Sequence, residues 1–209
     1  CTVGRPVLCN GADTDRWMMF DGTARLHKNG SDVFPFARTA SFSEYAVVNH
    51  SGVVKVRDDM PLDKACLVGC SVMTGVGAVI NTAKVNPGDS VVVIGCGGVG
   101  LNVIQGAVLA GAGKIIAVDL LENKLGYALQ FGATHVINAG TTDAVAEIHD
   151  LTYGGADHAF EAIGNSRTIL QAYQATCLGG VTTIVGMAAE TDEVAINCLS
   201  LPRTEKTIQ

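Results

Sequence analysis

The period of the apolar positions changes along this chain. From residue 90 onward, short apolar runs alternate with stretches spaced at helical intervals. Val91-Val92-Val93-Ile94 reads as a buried strand. After the next turn, Val99, Val103, Ile104, Ala107 and Val108 fall on one helical stripe. Ile115-Ile116-Ala117-Val118 is a second strand, which stops at Asp119. The alternation continues with a helix over 121–131 ending at Gly132, a strand over 135–137, a helix over 143–151 and a strand over 157–161. A helix over 166–177, started by a Ser166 cap, and a strand over 181–185 follow. Residues 193–197 form a further extended piece, and 206–209 stand inside one last strand. Repeated strand–helix–strand units predict an α/β fold, a doubly wound parallel sheet with helices on both faces.

Before residue 66 the helical period is missing. Residues 20–23 (Phe-Asp-Gly-Thr) and 28–31 (Lys-Asn-Gly-Ser) read as hairpin turns, and the runs 42–48 and 53–56 are rich in strand formers. An Ala- and Val-rich stretch over 63–83 reads as helix despite its glycines, with Asp63 as N-cap. Asn86-Pro87-Gly88-Asp89 is the turn that launches the strand at residue 91. The composition break places a β-rich piece at 1–70 and a sheet domain at 71–209, the latter cut within its last strand.

Composition adds bounds. At 209 residues, 48% apolar and 16% charged, the chain holds one large domain plus part of another. A formal charge of −6 without a basic run argues against nucleic acid or an anionic membrane surface as partner. No uninterrupted apolar stretch is long enough to span a bilayer. The chain opens on Cys1 without a charged-then-apolar leader, so it reads as a piece of a longer protein. Seven cysteines without regular pairing spacings fit a reducing, cytoplasmic compartment, where close-set cysteines mean metal more often than disulfide.

The chemistry concentrates in residues 90–119. The turn Gly95-Cys96-Gly97-Gly98-Val99-Gly100 stands between a strand and a helix, and Asp119 follows its last glycine by 19 residues. In a dinucleotide site, Gly95 permits the sharp turn and Gly97 lets the backbone approach the pyrophosphate. Gly100 lets helix and sheet pack closely, and the N–H groups of Gly98, Val99 and their neighbours meet the phosphate charge. Asp119 grips the adenosine ribose hydroxyls and repels a 2′-phosphate, for which Leu120 and Leu121 offer no cation. NAD is therefore expected over NADP. Lys124 is either a second ribose contact or an exposed helix lysine.

The remaining motifs carry a family resemblance. Cys1-x7-Cys9, Gly69-Cys70-x3-Thr74-Gly75-x-Gly77, the 91–100 turn, Asp119 and Phe160-Glu161-x2-Gly164 occur in this order. Together with residues 42–45, 81–85 and 131–134 they resemble the zinc-dependent medium-chain alcohol dehydrogenases, through nearly the whole chain. That resemblance implies a Rossmann-type domain preceded by part of a β-rich, GroES-like catalytic domain. It implies that Cys1 and Cys9 belong to a structural zinc lobe and that Cys70 is one thiolate of a catalytic zinc site. Thr74 matches a position beside the nicotinamide. Ile163, Val185 and Met187 follow strand ends, where open α/β sheets bind ligands. The histidines at 27, 50, 135, 149 and 158 match no ligand spacing, and Cys66, Cys96, Cys177 and Cys198 read as packing residues.

The reaction implied by the resemblance is reversible hydride transfer from an alcohol to NAD, with zinc binding the alcohol oxygen. A primary or aromatic alcohol is the first expectation. An S-(hydroxymethyl)glutathione dehydrogenase is the alternative: Gly164-Asn165 favours that branch, and Asp13, where the branch has an Arg, disfavours it, with Arg16 nearby as a substitute. A non-catalytic NAD-binding fragment and a zinc-free quinone-reductase-like relative are the other readings. Residues 193–202 resemble the family segment that pairs across a two-fold axis, which implies a homodimer.

Overall fold

The computed structural model describes residues 18–19, 21–35, 39 and 41–209. The chain divides into two compact units, Cys1–Met60 and Pro61–Gln209. Cys70 thus falls in the second unit, whereas composition placed the division after residue 70.

In the first unit, β1 (Leu26–Lys28) pairs antiparallel with β2 (Ser31–Val33) across the expected Asn29-Gly30 turn. Both turn residues have positive φ, 53° and 79°, which two-residue hairpin loops require and Asn and Gly tolerate. The other expected turn closes through a hydrogen bond from Gly22 N to Met19 O at 2.8 Å, but no strands flank it among the described residues. The runs at 42–48 and 53–56 form no strand. Among the described residues of this unit there is no third strand for them to pair with, and strand propensity expresses itself only through such partners.

The second unit opens with one helical stretch, Leu62–Ala83. It comprises α1 (Leu62–Leu67), a π-helical turn at Val68–Val72, α2 (Met73–Gly77) and a second π turn at Ala78–Ala83. Pro61 is its N-cap rather than Asp63, which sits in the first turn, where a carboxylate favours the helix dipole. By length and composition this helix is apolar enough to cross a membrane, since Gly, Ser and Thr interrupt the apolar run without interrupting the helix. Core helices of soluble proteins pass the same test, and Ala78, Val79 and Ala83 are buried here with Val103, Ile104 and Ala107.

Six strands then form one sheet. They are β3 (Ser90–Ile94), β4 (Lys114–Asp119), β5 (His135–Asn138), β6 (Ala156–Glu161), β7 (Thr176–Ile184) and β8 (Thr207–Ile208). Their order is β5-β4-β3-β6-β7-β8, every pair parallel. Side-chain alternation along β3 explains the two layers. Val91 and Val93 enter a core with α3 (Gly98–Ala110), while Val92 and Ile94 enter a second core with α5 (Ala144–Thr152) and α6 (Ser166–Ala175). With both faces covered, these strands are apolar throughout instead of alternating. The remaining helices are α4 (Glu122–Gln130) and α7 (Ser200–Thr204).

Three local expectations change. Asn165, not Ser166, caps α6: its backbone is extended and its Oδ1 accepts from Thr168 N at 3.0 Å. The strand after α6 starts at Thr176 rather than 181, because Thr176 pairs with Ala156 before the register shifts to His158–Val181, with Gly179 at φ 74°. Residues 193–197 lie outside any strand.

The strand order reverses between β3 and β6. In such sheets the crevice beyond the carboxyl ends at the reversal is where ligands bind.

Candidate functional site

The glycine turn sits at that crevice, and two of its glycines are constrained by the protein while a third is open. Gly95, at φ 98°, tolerates no side chain: a Cβ would lie 2.5 Å from Ile163 Cγ1. Gly100 is pressed under the turn, where a Cβ would fall 1.8 Å from Gly95 O. Gly97 is the N-cap of α3, with ordinary φ −81°, and nothing lies within 4 Å of an added Cβ. Neither backbone strain nor a protein neighbour requires glycine at Gly97, while the first N–H groups of α3 lack intrahelical acceptors. An open cradle at a helix N-terminus fits a pyrophosphate.

Asp119 closes the turn from the end of β4. Its Oδ2 accepts from Cys96 N at 2.8 Å, and its Oδ1 accepts from Leu120 N at 2.8 Å and Leu121 N at 3.1 Å. Lys124 Nζ stands 3.8 Å from Oδ2, a loose pair with the lysine side chain 40% exposed. Asp119 therefore organises the turn as well as presenting a carboxylate to the crevice. Cys96 is buried beside it. Burial first, and then the Asp119 charge, push its thiol up to about 12, so it is an inert packing residue.

A cavity of about 680 Å³ opens here, lined by Gly95, Gly97, Asp119, Lys124 and Ile163 among others, within the ordinary range for small-molecule sites. The sequence did not point to Asn165, Arg167, Thr168 and Gln171, which form the wall from α6. Their signal is weak, since an amphipathic helix start looks the same whether it faces solvent or a ligand. Arg167 adds a cation to the lining of this cavity, which also holds Lys124 and the Asp119 carboxylate.

Thr74 and Val185 line a second cavity of about 420 Å³, with Met73, Thr183 and Gln209. Val99 packs against the core. The Met187 side chain is exposed, and its backbone abuts Gly164, where a Cβ would come within 2.4 Å of Met187 O.

Cys70 is an exposed free thiol on the first π turn. Its helix is tied to the glycine turn: a Cβ on Gly75 would meet Val99 O at 2.6 Å, and one on Gly98 would lie 3.8 Å from Ser71 Cβ. A catalytic zinc needs three protein ligands. No group of three His, Cys, Asp or Glu side chains is assembled among the described residues, which by themselves form no such site. Cys1, Cys9, Asp13 and Arg16 lie outside the described residues. Cys66 and Cys198 are exposed rather than packed. The histidines at 135, 149 and 158 are hydrogen-bonded to Thr134, Gln174 O and Asp89.

Comparison with known proteins gives this geometry a family. A family model described as zinc-binding dehydrogenase matches residues 98–209. The S-(hydroxymethyl)glutathione dehydrogenase of Komagataella pastoris is 42% identical over 202 residues, covering 93% of this chain and 53% of its own length. That of Saccharomyces cerevisiae is 43% identical over 204 residues, with 93% and 53% covered. The chain thus spans little more than half of either relative. Among solved structures, the benzyl alcohol dehydrogenase of Acinetobacter calcoaceticus superposes with a TM-score of 0.79 at 39% identity, covering 81% of this chain and 47% of that one. The chain belongs to the zinc-binding dehydrogenases, the zinc-dependent medium-chain alcohol dehydrogenase family.

Proposed function

We propose that this chain is the cofactor-binding part of an NAD-dependent dehydrogenase that oxidises S-(hydroxymethyl)glutathione. The observation that carries the cofactor half is the crevice at the strand-order reversal, with the open Gly97 cradle on one side and Asp119 on the other. NAD, when bound, supplies the hydride acceptor. The α3 N-terminus holds the pyrophosphate, and Asp119 takes the ribose hydroxyls on the lone pair its backbone donors leave free. Lys124 and Arg167 border the adenosine end. Thr74 and Val185, in the second cavity, flank the nicotinamide. Cys70 contributes one thiolate to a zinc set completed by residues beyond those described, as do Cys1 and Cys9 to a structural lobe.

The substrate reading rests on the two curated relatives and replaces a primary or aromatic alcohol as first choice. An aromatic alcohol stays as the second reading because of the benzyl alcohol dehydrogenase likeness. A homodimer and a cytoplasmic setting complete the proposal.

Initial rates of the full-length protein with NAD decide between the substrates. The proposal expects S-(hydroxymethyl)glutathione, formed from formaldehyde and glutathione, to give a kcat/KM at least about tenfold above that of benzyl alcohol, or about 1.4 kcal/mol of transition-state preference. The reverse order would assign the protein to aromatic alcohols.

A further inference from the structure

Glu161 ends β6 at the strand-order reversal and is wholly buried, and no salt bridge to it occurs among the described residues. A lone carboxylate in such a place is costly unless donors surround it. Its Oε1 accepts three hydrogen bonds, from Gly164 N at 2.8 Å, Ile163 N at 3.0 Å and Thr168 Oγ1 at 2.7 Å. Its main-chain oxygen accepts two more, from Val185 N at 2.8 Å and Gly186 N at 2.9 Å. Oε2 has no partner. It is walled off by Gly186, where a Cβ would lie 2.6 Å from Oε2 and 2.2 Å from Gly164 N.

One residue therefore fastens two turns. The first carries Ile163, which lines the larger cavity and lies against Gly95. The second carries Val185, which lines the smaller cavity together with Thr74. We propose that Glu161 is a positioning residue for the dinucleotide, holding these two turns as a single wall so that both cavities keep the shape one extended cofactor needs. This rests on the NAD reading above. Glu161 lines neither cavity. Its part is to supply one acceptor oxygen to the Ile163 and Gly164 N–H groups and to the Thr168 hydroxyl, which also reaches Asn165 O at 3.1 Å, and to admit Gly186 against the other oxygen.

The test compares Glu161→Ala with Glu161→Gln in the full-length protein, by NADH fluorescence titration and by KM for NAD against kcat. The glutamine keeps an oxygen facing the three donors, whereas alanine removes it. Glu161→Ala should raise the NADH Kd and the KM for NAD about tenfold or more, the scale expected when buried donors lose a charged acceptor, with kcat within about threefold. Glu161→Gln should restore the Kd to within about threefold of wild type. If the alanine variant does not fold, Thr168→Val removes one donor and should weaken NADH about two- to fivefold. Wild-type NADH binding with unchanged Kd in all folded variants overturns the positioning role alone. A glutamine variant as weak as alanine also overturns it, because charge and not acceptor geometry would then matter. A wild-type protein that binds no NADH overturns the cofactor reading and this inference with it.

Discussion

Cys96 and Asp119 are joined by a 2.8 Å hydrogen bond from the Cys96 main-chain N–H to Asp119 Oδ2. That bond ties the middle of the glycine turn to the end of the neighbouring strand. A residue expected to hold a ribose therefore also holds the loop proposed to receive the pyrophosphate. Removing the carboxylate leaves the Cys96 N–H without its acceptor, a penalty of about 1–3 kcal/mol. Asp119→Ala should lower the melting temperature by several degrees and weaken NADH at least about tenfold. It should not become a good NADP enzyme, although Lys124 and Arg167 stand nearby, because the turn is damaged too. Calorimetry with NADH and NADPH titrations checks both parts.

Gly97 and Gly100 separate ligand space from protein space. Gly97→Ala meets no protein atom within 4 Å, so stability should change by less than about 1 kcal/mol, the scale of an altered N-cap, while NADH binding falls steeply. Gly100→Ala drives a Cβ to 1.8 Å from Gly95 O and should prevent native folding. Thermal melts of the two variants distinguish these outcomes.

The Cys96 thiol gives a pH signature. Burial, and then the Asp119 charge, push it from the ordinary thiol value of 9.0 up to about 12 in the folded chain, so above pH 9 the unfolded chain releases a proton that the folded chain keeps. The folded state then binds more protons, and stability falls as pH rises across that window, by up to about 1.4 kcal/mol per pH unit from this group. Cys96→Ala should show a shallower loss of stability between pH 9 and 10 in denaturant titrations. At pH 8 an alkylating reagent should label Cys66, which is exposed, and leave Cys96 until the chain unfolds.

Cys70→Ser in the full-length protein should lose one zinc per chain and its activity while keeping NADH affinity within about threefold, since the thiol stands outside the larger cavity. Metal analysis beside NADH titration measures both. Retained zinc and turnover would remove Cys70 from the ligand set.

The sheet unit was legible because its signals are local. Val91–Ile94, the glycine turn, the α3 stripe and Asp119 each declare themselves in consecutive residues, and the parallel order follows from their alternation. What stayed hidden depends on distant partners. The runs at 42–48 and 53–56 carry strand residues but find no ladder among the described residues. Ser166 looks like a cap, yet the extended Asn165 takes that place. The wall from α6 and the buried acceptor at Glu161 exist only once β6, β7 and α6 converge, and Phe160-Glu161-x2-Gly164 shows its spacing without showing which donors the carboxylate collects.

Paired titrations of NADH and NADPH into the wild type and Gly97→Ala test the glycine cradle most directly. The expected result is saturable NADH binding by the wild type, NADPH weaker by about tenfold or more, and loss of both in a Gly97→Ala protein that still melts cooperatively near the wild-type temperature. Equal NADH affinity in the two proteins, or tighter binding of NADPH than of NADH, would contradict it.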